Sequence, residues 1–125
     1  MDYRGLRVLL FVHGLITAAA GVVLVVMPGL IPRVVGIHLD SGADLVAYLL
    51  AAAEIGFAVL SFGGNVLTDA RALRLIAWSC IAFHVVSGVL ETYAYFQGVS
   101  PTILANVVAR VVIVCLFFVL SRTRN

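Results

Sequence analysis

The sequence predicts an all-α integral membrane four-helix bundle, one domain over residues 1–125. Three observations predict it. Four apolar runs, each about as long as a bilayer is thick, are separated by short breaks rich in Gly, Pro, Asn and Asp. Hydrophobic residues make up 63% of the chain and charged residues only 11%, against roughly a quarter charged in soluble domains. All eight basic residues are Arg, and all but Arg110 lie at or between the ends of the runs. A soluble core of this size could not absorb so much apolar surface, so the lipid bilayer is the expected solvent. A net charge of +2, scattered along the chain, leaves no nucleic-acid footprint. Cys80 and Cys115 lie mid-run and lack metal or redox spacing, which makes them apolar filler. No metal ligand set and no cofactor motif is evident.

The first span is expected over residues 6–27. Arg4 and Arg7 before it resemble a signal-peptide start, but the run is too long and no cleavage site follows, so an uncleaved span is expected. Gly14, Ala18 and Gly21 form a small-residue stripe suited to close helix contact. Pro28-Gly29 stops this helix and Pro32 reinforces the break. Residues 30–39 are too short to span and predict an interfacial segment. Asp40 or Ser41 can cap the second span.

That second span is expected over residues 45–62, ended by Gly63-Gly64-Asn65, with Ala47, Ala51, Glu54, Ala58 and Ser61 on one face. A short loop around Asp69, Arg71 and Arg74 leads to the third span, residues 73–95. There Cys80, His84, Ser87, Glu91 and Tyr95 share one narrow face within an otherwise apolar helix. Ser100 and Pro101 are a cap and a first helical residue for the fourth span, residues 102–120, where Asn106 and Arg110 share a face.

Arginine placement sets an expected orientation. The N-terminus, the second loop and the C-terminus hold two arginines each, the first loop one and the third none. Six against one places both termini in the cytoplasm of a multi-pass protein of the inner (plasma) membrane. Tyr48, Tyr93 and Tyr95 then fall near the outer interface and Tyr3 near the inner one.

An ionisable group within a span is costly and marks a working site by default. Counting depth at about 1.5 Å per residue puts Glu54, His84 and Arg110 at one level, with Glu91 and Asn106 about one turn further out. The five are expected to converge on one polar pocket, with Glu54 meeting Arg110. Two carboxylates against one guanidinium imply that one Glu is neutral or that His84 is charged, the setting in which acid–base pairs arise. His13 is expected to make a helix-packing hydrogen bond; a bis-His haem between it and His84 is the less favoured alternative, since the two are offset by about a turn. Ser61 and Ser87 read as backbone-bonding hydroxyls rather than nucleophiles, and Trp78 as packing or lipid-facing.

Two families share this length and plan. Small multidrug resistance transporters use one intramembrane Glu in the first span, which here, over Leu6–Met27, has none. Through the Met27-Pro28-Gly29 break and the Gly-rich first helix, the chain resembles the four-helix bacterial membrane proteins of the DoxX-like type. That resemblance implies a four-span fold and no particular activity. The pocket chemistry is similar to that of membrane sterol isomerases and terpene cyclases, which use intramembrane acids as proton donors. The functional expectation is an acid–base enzyme, isomerase or cyclase in type, acting on an apolar small molecule such as an isoprenoid. Glu54, Glu91 and His84 would move protons, while Arg110, Asn106, Ser87 and Tyr95 bind substrate. The alternatives are a small proton-coupled multidrug-type transporter and a non-catalytic membrane subunit. A homo-oligomer is compatible with each.

Overall fold

The computed structural model describes residues 3–122, all-helical or in turns with no strand among them. Its helices are α1 (Arg4–Val26), α2 (Leu30–Val34), α3 (Asp44–Val66), α4 (Ala70–Phe96) and α5 (Ile103–Arg122). All but α2 are long and apolar enough to cross a membrane. Arg124, which contributes to the arginine asymmetry, lies outside the described residues.

Local chemistry explains the boundaries. α2 ends through Gly36 at φ +77°, with Gly36 N–H donating to Arg33 O and Ile37 N–H to Pro32 O. α4 ends in the same way through Gly98 at φ +101°, where Val99 N–H reaches back to Ala94 O. Such left-handed closures satisfy the last carbonyls of a helix, and glycine adopts them without steric cost. Asp69 caps α4 by accepting from Ala72 N–H at 2.8 Å. Asp40 accepts from Ala43 N–H at 2.8 Å, just ahead of α3.

Two boundaries differ by more than two residues from those the sequence predicts, and Pro101 precedes α5 rather than opening it. α3 does not stop at Gly63-Gly64 but runs on to Val66. A Cβ at Gly64 would lie 2.9 Å from Leu10 Cδ1 and 3.2 Å from Ile76 Cδ1. Gly64 is therefore a notch for neighbouring helices, and packing outweighs the modest cost of helical glycine. The connection from α3 to α4 is only Leu67-Thr68-Asp69, so Arg71 and Arg74 belong to α4 rather than to the loop.

The helices form two tight antiparallel pairs, α1 with α3 and α4 with α5. The pairs meet along looser α1–α5 and α3–α4 seams, which leaves α1 diagonal to α4 and α3 diagonal to α5. The main core lies toward the arginine-rich end. Tyr3, Leu6, Leu10, Leu73, Ala77, Cys80, Ile81 and Phe117 are buried together there. That end is also tied by polar contacts, Arg7 Nε donating to Asn65 O at 2.6 Å and Arg74 Nη2 to Tyr3 OH at 2.9 Å. A smaller apolar cluster of Leu24, Ala47 and Ala51 joins α1 to α3 near the other end. There Thr102 Oγ1 donates to Val34 O at 3.2 Å and fastens the α2 segment to the α4–α5 turn.

The Gly14 and Gly21 stripe does mediate close approach. A Cβ at Gly14 would stand 2.9 Å from the Phe62 ring, and one at Gly21 would stand 2.8 Å from Ile55 Cγ1 and 3.3 Å from the Ala51 carbonyl. The carbonyl cannot rotate away. Gly21→Leu is therefore expected to destabilise the protein by about 1–3 kcal/mol, the usual cost of overpacking. Val22→Leu, at a position 57% exposed, should be close to neutral. Thermal unfolding of the two variants in one detergent checks this; equal midpoints would place the stripe outside the α1–α3 contact.

Candidate functional site

Immediately outward of the main core, polar side chains from all four long helices form one continuous hydrogen-bonded chain. Ser61 Oγ on α3 lies 2.8 Å from His13 Nδ1 on α1. His13 Nε2 lies 2.9 Å from His84 Nε2 on α4, across the bundle diagonal. His84 Nδ1 lies 3.0 Å from Arg110 Nη1 on α5. Arg110 then grips Glu91 of α4, with Nε 2.9 Å from each carboxylate oxygen and Nη2 2.8 Å from Oε1. Asn106 Nδ2 donates to the same Oε1 at 2.8 Å. Among the described residues, no buried side-chain nitrogen or oxygen lacks a hydrogen-bond partner.

The direction of this chain is set by one residue. A guanidinium donates and never accepts. Arg110 Nη1 must therefore donate to His84 Nδ1, which leaves that nitrogen without a proton. The single ring proton of His84 then sits on Nε2 and is donated to His13 Nε2. His13 in turn carries its proton on Nδ1 and donates it to Ser61. Both imidazoles are neutral, and their tautomers are opposite. Of the two charge states the sequence leaves open, a charged His84 does not fit this geometry. Glu91 alone balances Arg110.

Aromatic rings fix the array from the sides. Phe117, fully buried, sets its ring edge-on to His13 at 5.2 Å between centroids. Phe83 stands 5.3 Å from the His84 ring and lies 5.7 Å from Arg110 Cζ, within range of a cation–π contact. Thr17 Oγ1 donates to the His13 carbonyl at 3.0 Å, and the Cys80 thiol sits beside the Ser61 hydroxyl. On the other side of Arg110 is a groove between α4 and α5, with a volume of about 390 Å³. His84, Gly88, Thr92 and Arg110 line it together with Val85, Val89, Val107, Val111, Val114 and Cys115. Val85, Val89 and Val111 are exposed, so the groove opens on the outer flank of the bundle and not at either end.

His84, Glu91, Asn106 and Arg110 thus converge as the sequence predicts. Glu54 does not join them by hydrogen bond or ion pair. It is half-buried on α3, the helix diagonal to α5, and meets Arg110 only through the longer-range field of its charge. It lies ten residues into α3, whereas Arg110 lies seven into α5. Glu91, on the helix that packs along α5, takes the guanidinium instead. Ser87 and Tyr95 are half-buried on the same face of α4 but make no hydrogen bond into the chain; Tyr95 rests against Phe96.

Two residues that look minor in the sequence prove central. Assumed helix ends place His13 a turn away from His84. With α1 ending at Val26 and α4 at Phe96, it lies thirteen residues in and His84 twelve. That difference amounts to about 1.5 Å of rise, and the rings touch. Ser61 does not bond its own backbone; it is the acceptor for His13. With the two ring nitrogens hydrogen-bonded to one another, no haem iron fits between them. Comparison with known proteins finds no matching family model, no matching characterised protein and no matching solved structure, so the functional reading rests on this geometry.

Proposed function

We propose that this chain is a membrane-embedded acid–base enzyme, isomerase-like in type, acting on an apolar molecule that enters the α4–α5 groove from the lipid. The observation that carries the reading is that two members of the polar chain, His84 and Arg110, line a largely apolar, sideways-opening groove. The packed core toward the arginine-rich end blocks access from that side. A lateral opening suits chemistry on a lipid-soluble compound better than alternating transport between two waters.

The roles follow from the hydrogen bonds. Glu91 and Asn106 hold Arg110. Arg110 faces the ligand and stabilises negative charge that develops on it during reaction. The ligand takes the N–H groups of Arg110 that neither Glu91 nor His84 holds, and the Nη1–His84 hydrogen bond opens during reaction to release Nδ1 of His84 as a base. It removes a proton from one ligand carbon, the bonding pair shifts along the ligand, and the imidazolium, its proton exchanged with water, returns one proton to a second carbon. The transient positive charge is shared with His13 across the N–H···N bond. Glu54, in the field of Arg110, is the further carboxyl able to exchange a proton with the cluster.

Carbon-bound hydrogen exchange tests this. Purified protein in lipid nanodiscs, placed in heavy water with a panel of unsaturated isoprenoid and sterol-like compounds, should introduce deuterium at carbon. Val111→Trp, which fills the groove, should stop it. Exchange that ignores the groove variant, or no exchange on any compound, contradicts the reading.

The orientation belongs to the same proposal, with the arginine-rich end cytoplasmic and both termini inside. Alkaline phosphatase fused at Gly98 should be active and at Asn125 inactive; the reverse pattern would invert the topology.

A further inference from the structure

We infer that the ligand of the α4–α5 groove is a neutral carbonyl compound whose oxygen accepts the two unspent N–H groups of Arg110. This rests on reading the groove as the substrate site, and it adds the chemical class. Guanidinium has five N–H donors. Arg110 commits Nε and one hydrogen of Nη2 to Glu91, and one hydrogen of Nη1 to His84. One N–H remains on each Nη, in a residue that lines the groove.

The other polar groups in the lining are already spent. Both nitrogens of His84 are bonded, and the Thr92 hydroxyl donates to Gly88 O at 2.7 Å. The groove therefore demands an acceptor at Arg110 and apolar surface elsewhere. A pure hydrocarbon would leave two charged donors unmatched, and an alcohol would bring a proton with little to receive it. Charge selects among acceptors. Glu91 already neutralises Arg110, so a carboxylate or phosphate would add an unbalanced negative charge deep in the membrane, where such charge is costly. A ketone or aldehyde oxygen meets the donors without that charge.

Depth excludes the surrounding lipid as the source of the oxygen. Arg110 lies seven residues into α5, about 10 Å from its start, whereas lipid ester carbonyls sit at the headgroup boundary. Length limits the body of the ligand. From Val107 to Cys115 the groove follows about 12 Å of α5, enough for a ring system or a folded chain of moderate size.

Methyl undecyl ketone with an isotope-labelled carbonyl is a direct probe, read by infrared spectroscopy in nanodiscs. The bilayer interior holds no hydrogen-bond donors, so the free ketone has a high stretching frequency. Bound protein should add a band at lower frequency. Val111→Trp, with its helicity verified by circular dichroism, should remove that band; dodecanoate and tridecane at equal concentration should fail to displace it. Absence of the shifted band with folded wild-type protein overturns the inference. So does a band that survives Val111→Trp, or displacement by dodecanoate. The two proposals separate cleanly. A shifted band without any carbon-bound exchange keeps the carbonyl site and removes the enzyme; exchange on hydrocarbon substrates without a shifted band does the reverse.

Discussion

Arg110→Leu is expected to destabilise the bundle by about 3–5 kcal/mol, the usual cost of breaking a buried ion pair from one side. The side chains of Arg110 and Glu91 are only 15% and 18% exposed. Removing the guanidinium leaves the Glu91 carboxylate with Asn106 alone, and it strips His84 Nδ1 of its donor. Glu91→Leu should be comparably harmful, because it strands the cation. The double variant, Glu91→Leu with Arg110→Leu, should recover most of the loss, since no charge is left unpaired. It should still fall short of wild type by about 1–3 kcal/mol, the cost of the orphaned His84 nitrogen. Glu54→Leu with Arg110→Leu is the control. Glu54 makes no ion pair with Arg110, so this combination should recover little. Unfolding in mixed micelles, with the four variants compared as a cycle, measures the coupling. Recovery with Glu54 and not with Glu91 would contradict the Glu91–Arg110 pairing.

The second large effect concerns His84. His84→Gln keeps approximate size and one acceptor but cannot take and return a proton at the groove. Deuterium exchange at ligand carbon should fall by at least about 100-fold, the lower end of what general acid–base catalysis contributes. That loss corresponds to about 2.7 kcal/mol of barrier. The same variant should remain folded, because Gln offers a carbonyl to Arg110 and an amide to His13. His13→Gln should lower exchange less, because Nδ1 of His84, the atom proposed to face the ligand, is untouched. A His84→Gln protein with full stability and full exchange would reduce the histidine pair to a packing element.

Much of this architecture is legible in the residues. The four apolar runs are the four long helices, because bilayer length and composition leave few other structures. The shared face of His84 and Glu91 on α4, and of Asn106 and Arg110 on α5, follows from helical periodicity alone. Pairing across helices is harder to read, because it depends on which helices are neighbours. Glu54 and Arg110 look level in the sequence, yet α3 and α5 are diagonal and Glu91 stands on the adjacent helix. Gly63-Gly64 looks like a helix stop because the sequence does not show Leu10 and Ile76 pressing on Gly64. The His13–His84 contact is hidden for a smaller reason. An error of one residue at each helix end shifts relative depth by about 3 Å, enough to separate two rings that in fact touch.

The hydrogen-bonded chain that crosses the bundle is polarised from Arg110 through His84 and His13 to Ser61. Nitrogen NMR of protein labelled in its histidine rings tests it most directly. Opposite neutral tautomers are predicted, His84 protonated on Nε2 and His13 on Nδ1, with a scalar coupling between the two Nε2 atoms through the 2.9 Å hydrogen bond. Identical tautomers, or two histidines with no coupling across the bundle in folded protein, would contradict it.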